Sequence, residues 1–176
     1  MTRSGQDRDP AVTRDRDLAG RPRNARPRDE LGRPLPRTAG SDVPRIPDDL
    51  TVTGAEAAAM GGELLAKGRP FHAHEVFEAA WKTGPEADRD LWKGLAQVAV
   101  GLTHARRGNA RGAVTLLRRG ARRVSDYAPS AGQPHGIDTA FVIAQAEDLA
   151  TRIERDGLPA IPAADFLLSL LPEQAR

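Results

Sequence analysis

Large apolar residues recur at helical spacing in five segments of this chain, and no stretch of useful length alternates apolar and polar positions as a strand would. Gly54 to Lys67 is rich in Ala and Leu, and Gly68-Arg69-Pro70 stops it with a terminal glycine and a following proline. Phe71 to Lys82 is the second predicted helix, broken by Thr83-Gly84-Pro85. The third runs from Glu86 or Asp88 to Arg107 and ends at Gly108. Asn109 can cap the fourth, which reaches about Val124. A loop with two prolines and two glycines follows over 125–136, and Asp138 can cap a fifth helix ending near Asp156 and Gly157. Beyond it, Phe166-Leu167-Leu168 and Leu170-Leu171 are too apolar to be free, so a short terminal helix should dock on the core. The pattern predicts an all-α fold, a compact bundle of about five helices.

The third segment is apolar round most of its circumference, which places it at the centre of that bundle. Leu91, Leu95, Val98, Leu102 and Ala105 form its core stripe. Lys93, Gln97 and His104 form a second, polar stripe, and Gly94 and Gly101 between the two would let a neighbouring helix approach closely. A central helix buries at least part of any polar stripe it carries.

Residues 1–45 differ in kind. They are rich in Arg, Asp, Pro and Gly and nearly devoid of large apolar side chains, so they cannot bury enough surface to offset ordering entropy. The expectation is a disordered tail over 1–45 and a single helical domain over 46–176. The tail holds eleven Arg against seven Asp and Glu, a net of +4, which leaves −2 for the rest of a chain whose formal net charge is +2. Basic character therefore belongs to the tail, and its alternating signs (Asp7-Arg8-Asp9) weaken any contact with a polyanion. Nucleic acid is not the expected partner; at most a weak contact through the tail, whose most basic part is Arg21–Arg28, and the fourth helix is expected. No cysteine is present, which excludes disulfides, thiolate metal sites and cysteine nucleophiles. With no signal-like apolar segment at the start and no run of ~18 apolar residues, the expectation is a cytoplasmic protein without a membrane span.

The candidate chemistry sits on the second helix. His74, Glu78 and Trp81 stack along one stripe at intervals of four and three. On a helical wheel, Phe77, Trp81, His74, Glu78 and Phe71 span an arc of about 120°, while His72 and Glu75 fall on a sector that reads as solvent-facing. A carboxylate among aromatics needs a hydrogen bond, a counter-charge, a metal or a proton. The polar stripe of the third helix offers partners, so one cluster of His74, Glu78, Trp81, Lys93, Gln97 and His104 is expected. Two readings compete for it. Two imidazoles and a carboxylate, His74, Glu78 and His104, suit zinc, manganese or iron, with metal-assisted hydrolysis as the simplest chemistry. Alternatively, Lys93 or a histidine N–H holds Glu78 and Gln97 completes a structural network in a non-catalytic interaction or scaffold module.

Arg111, Arg118, Arg119, Arg122 and Arg123 lie opposite the apolar face of the fourth helix. They lack interleaved aromatics for base stacking, which favours a solvated face over a nucleic-acid surface. The first four helices pair into two αα-hairpins, too few units for a solenoid, so a closed bundle or a homodimer is expected.

Three blocks, Phe71-His72-Ala73-His74-Glu75-Val76-Phe77-Glu78-Ala79-Ala80-Trp81, then Lys93 to Val100, then Gly108 to Leu117, resemble the bacterial and archaeal domain-of-unknown-function family numbered 309 over about residues 55–125. The resemblance implies a small all-helical bundle. It makes His74, Glu78 and Trp81 the family signature (histidine, three residues, glutamate, two residues, tryptophan or tyrosine), for which a metal-binding role has been suggested. The Arg-rich N-terminal segment lies outside the family pattern.

Overall fold

The computed structural model describes residues 27–36, 38–39, 46–127 and 133–172. Five α-helices carry the fold: α1 (Gly54–Ala66), α2 (Pro70–Thr83), α3 (Arg89–Arg106), α4 (Ala110–Asp126) and α5 (Thr139–Asp156). Among the described residues there is no strand, and no helix is long and apolar enough to cross a membrane.

Local chemistry sets the helix ends. Thr53 and Glu56 form a capping box, in which Glu56 N–H donates to Thr53 Oγ1 and the Glu56 carboxylate accepts from Thr53 N–H at 2.8 Å. Asn109 and Asp138 cap α4 and α5 by accepting from Gly112 N–H and Phe141 N–H, both at 2.9 Å. Gly68 and Gly108 adopt positive φ of 67° and 82°, as required where α1 and α3 turn sharply into the next helix.

Each helix packs on its neighbour in sequence, most extensively α3 on α4 and then α2 on α3. α3 is central as expected: Leu91, Trp92, Leu95, Val98, Ala99 and Leu102 are all at most 1% exposed. A Cβ placed on Gly94 would come within 2.6 Å of Val124, and one on Gly101 within 2.9 Å of Leu117, so the glycines of α3 are where α4 crosses.

The C-terminal segment closes the array. It turns twice in 3-10 geometry (Leu158–Ala160 and Ala163–Phe166) and then continues without regular structure, in place of the expected short α-helix. Pro159 and Pro162 each remove an N–H that a longer helix would need. Docking itself is as expected: Leu168 and Leu170 are buried, Ser169 N–H donates to the Gln145 side chain on α5, and Leu170 packs against Gly62 of α1.

Most of the segment expected to be disordered lies outside the described residues, but 27–36 form a compact turn. Asp29 Oδ1 accepts from the N–H groups of Leu31 and Arg33, and Leu35 N–H donates to Pro27 O. Gly32 sits against the Phe71 ring, the Arg28 guanidinium lies 5.0 Å from that ring's centre, and Arg107 donates to Leu31 O. Charge and glycine thus dock on an aromatic ring where large apolar side chains are scarce.

Candidate functional site

A groove of about 320 Å³ opens between α2, α3 and α4. The α2 wall is the stripe of His74, Glu78 and Trp81, brought together because spacings of four and three return to one face of a helix. From α3 come Lys93, Ala96, Gln97 and Val100, and from α4 come Leu116 and Arg123. Five of the six residues expected in one cluster therefore meet.

The sixth does not. His104 lies two turns beyond Gln97 along α3, roughly 10 Å further at 1.5 Å per residue. Its Nδ1 is 2.8 Å from Asn109 Nδ2, at the turn into α4. A helical wheel gives the angle of a side chain and not its height. Among the described residues, no group of three or more His, Cys, Asp or Glu side chains is placed to hold a metal ion. The set His74, Glu78 and His104, expected to bind zinc, manganese or iron, is thus not assembled, and this donor set does not fit such an ion.

The second departure is His72, expected to face solvent and found 3% exposed. The buried face of α2 is Pro70, His72, Ala73, Val76, Phe77 and Ala80. Its centre is set by the small residues Ala73, Val76 and Ala80, about 125° round the helix from the middle of the aromatic arc. His72 falls at one edge of this face and His74 just beyond the other. The Nδ1 of His72 is buried without a partner, and burial, with Arg69 and Arg28 nearby, pushes the imidazole below its usual range.

The polar contacts of the groove run along α2 and not across to α3. Glu78 Oε1 pairs with Lys82 at 2.9 Å, and Glu78 Oε2 lies 3.6 Å from His74 Nε2. His74 Nδ1 is 3.2 Å from Phe71 O. Both ring nitrogens face atoms that only accept, and the shorter contact, to the Phe71 carbonyl, favours the proton on Nδ1. Burial lowers the affinity of His74 for a second proton, with the Phe71 carbonyl and Glu78 acting the other way. At neutral pH the ring is therefore uncharged and presents a bare Nε2.

Across the groove, Lys93 Nζ lies 4.7 Å from the centre of the Trp81 ring, which Arg89 and Lys82 also approach at 5.5 and 5.8 Å. Among the described residues no carboxylate pairs with Lys93. Arg123 reaches Asp90 at 3.7 Å, a loose and exposed contact. Gln97 Oε1 is shielded from solvent with no donor. Arg123 was expected on the solvated face of α4, whereas it shares a stripe with Leu116, seven residues earlier, beside the helix's buried face. That i, i+7 relation was the available signal.

A second polar cluster had no signal in sequence spacing. Asp88 Oδ1 accepts from Tyr127 OH at 3.0 Å and Asp88 Oδ2 from His135 Nε2 at 2.9 Å. His135 has φ of 53°, a conformation uncommon for a residue with a side chain, and its ring packs 5.3 Å from that of Trp92. Its Nδ1 lies against Gly54, where a Cβ would come within 2.3 Å, so the partly buried imidazole ties α1 and the 133–138 loop to the start of α3.

Residues 59–116 match the model of a family described as Domain of unknown function (DUF309). No curated protein and no solved structure matches. Every groove residue except Arg123 lies within the matched segment.

Proposed function

We propose that the groove between α2, α3 and α4, nearly all of it within the segment that matches DUF309, binds a small acidic ligand, a carboxylate or a phosphate, on Lys93 and Arg123. The observation that carries this reading is two cations lining one concave, partly apolar site, Lys93 with no paired carboxylate among the described residues and Arg123 with only the loose, exposed contact to Asp90 at 3.7 Å. Ala96, Val100 and Leu116 supply apolar surface for the body of such a ligand, and Gln97 supplies an amide.

The competing reading, a hydrogen-bond network that only fixes helix register, needs Glu78 held by Lys93 or by a histidine N–H, and Gln97 satisfied. His74 Nε2 stands 3.6 Å off, longer than a hydrogen bond. Glu78 instead pairs with Lys82 on its own helix, and the Gln97 oxygen has no donor. A buried acceptor left unpaired costs stability, so the network reading lacks the bond that would close it.

The test is thermal unfolding and calorimetric titration with inorganic phosphate and with 4-methylpentanoate, against sodium chloride at matched ionic strength. Either acid should stabilise the protein by mass action, about 2.7 kcal/mol at one hundred times Kd, and Lys93→Ala or Arg123→Ala should abolish the effect. Stabilisation by neither acid, or the same response in both variants, refutes the reading.

A further inference from the structure

The two walls of the groove are chemically opposite. Lys93 and Arg123 on α3 and α4 only donate. On α2, Glu78 Oε2 only accepts, and so does His74 Nε2 in the tautomer that gives its proton to the Phe71 carbonyl. These two atoms stand 3.6 Å apart, both on the groove wall. A lone pair facing a carboxylate oxygen at that separation is repulsive, and a hydrogen-bond donor of positive charge placed beside both would remove the repulsion. The Glu78 carboxylate has the capacity, because Lys82 engages its other oxygen.

We propose that the natural ligand is a zwitterion, an ammonium joined to a carboxylate or phosphate as in an amino acid, with its ammonium on His74 Nε2 and Glu78 Oε2 and its acid on Lys93 and Arg123. This rests on the acidic-ligand reading and adds the opposite pole. Ala96, Val100 and Leu116 then line the side of the site that meets an apolar substituent.

Three matched probes test it on the full-length chain: leucine, 4-methylpentanoate (the same skeleton without the ammonium) and 3-methylbutylamine (the same skeleton without the acid). Phosphoethanolamine and inorganic phosphate form a second pair that separates a phosphate pole from a carboxylate one. The zwitterion of at least one pair should bind about tenfold or more tightly than its acid-only partner, the factor expected of one charge-assisted hydrogen bond. Glu78→Gln should remove that advantage while leaving the acid-only affinity in place. The probe comparison is made in the unaltered protein, so the proposal stays falsifiable even if the variant folds poorly.

Equal binding of zwitterion and acid overturns the inference and leaves the acidic-ligand reading standing. Binding of neither removes both. Stabilisation by zinc or manganese that depends on His74 and Glu78 also overturns the inference, because a metal ion would then take the place assigned to the ammonium.

Discussion

His135 donates from Nε2 to Asp88 Oδ2 across 2.9 Å, joining the loop before α5 to the first turn of α3, 47 residues earlier. Asp88 stands at the N-cap of α3 and makes no side-chain capping bond there. Its two oxygens serve His135 and Tyr127 instead. Asp88→Ala strands two partly buried donors, and a loss of about 1–3 kcal/mol in unfolding free energy is expected. Tyr127→Phe removes one partner cleanly and should cost about 0.5–1.5 kcal/mol. Urea denaturation measures both; an Asp88→Ala protein as stable as the parent would reduce the cluster to a surface contact.

The α3–α4 crossing decides the sign of another substitution. In an exposed helix, Gly→Ala stabilises by about 1 kcal/mol through propensity alone. At Gly120, a Cβ would stand 2.7 Å from Gly94 O and 2.8 Å from Val98 N, both backbone atoms that no rotamer change can move. Gly120→Ala should therefore destabilise, by about 1–3 kcal/mol net, as overpacking of a close helix contact does. A higher denaturation midpoint in the variant would show that the helices separate more easily than this packing implies.

Fold and site were legible in the sequence to different depths, for physical reasons. The helices were readable because their ends are local chemistry: Asn109, Asp138, Gly108 and Gly157 act within one turn of where they stand. The central place of α3 was readable because apolar residues circle it. The angular position of Lys93 and Gln97 also survived, since periodicity encodes it. Height along the axis is not periodic, and His104 was misplaced for that reason. On α2 the aromatics drew the expected core arc toward Phe71 and Trp81, while Ala73, Val76 and Ala80 pack closest and carried His72 inward. Asp88, Tyr127 and His135 meet through chain reversals that no spacing records.

Two depressed imidazoles give the stability a defined pH dependence. Burial holds both His72 and His74 below the ordinary value of 6.5 in the folded chain. Below that value the unfolded chain binds protons that the folded chain resists, so stability rises with pH across the interval. Their contribution is complete above 6.5 and is lost as pH falls from there through the depressed folded values. Denaturant midpoints should drop between about pH 7.5 and pH 5.5, where most ordinary carboxylates remain ionised. His72→Leu should flatten part of that slope, and an unchanged slope would mean that His72 titrates as if exposed.

Trp81 and Trp92, the only two tryptophans in the chain, offer an optical view of the groove. Trp92 is 1% exposed and packed between the rings of Phe77 and His135, whereas Trp81 is partly exposed on the groove wall. Collisional quenchers should therefore reach Trp81 alone. The cations around its ring, Lys93, Arg89 and Lys82, add a charge selectivity: iodide is attracted to them and neutral acrylamide is not. Trp81→Phe should leave emission that neither quencher reaches. Lys93→Ala should weaken iodide quenching while acrylamide quenching holds or rises, and added salt should erase the difference by screening. The same substitution isolates the charge that the acidic-ligand reading requires. If Lys93→Ala lowers both quenchers equally, the lysine shapes access to the groove without supplying its positive field, and Arg123 alone would have to hold the acid.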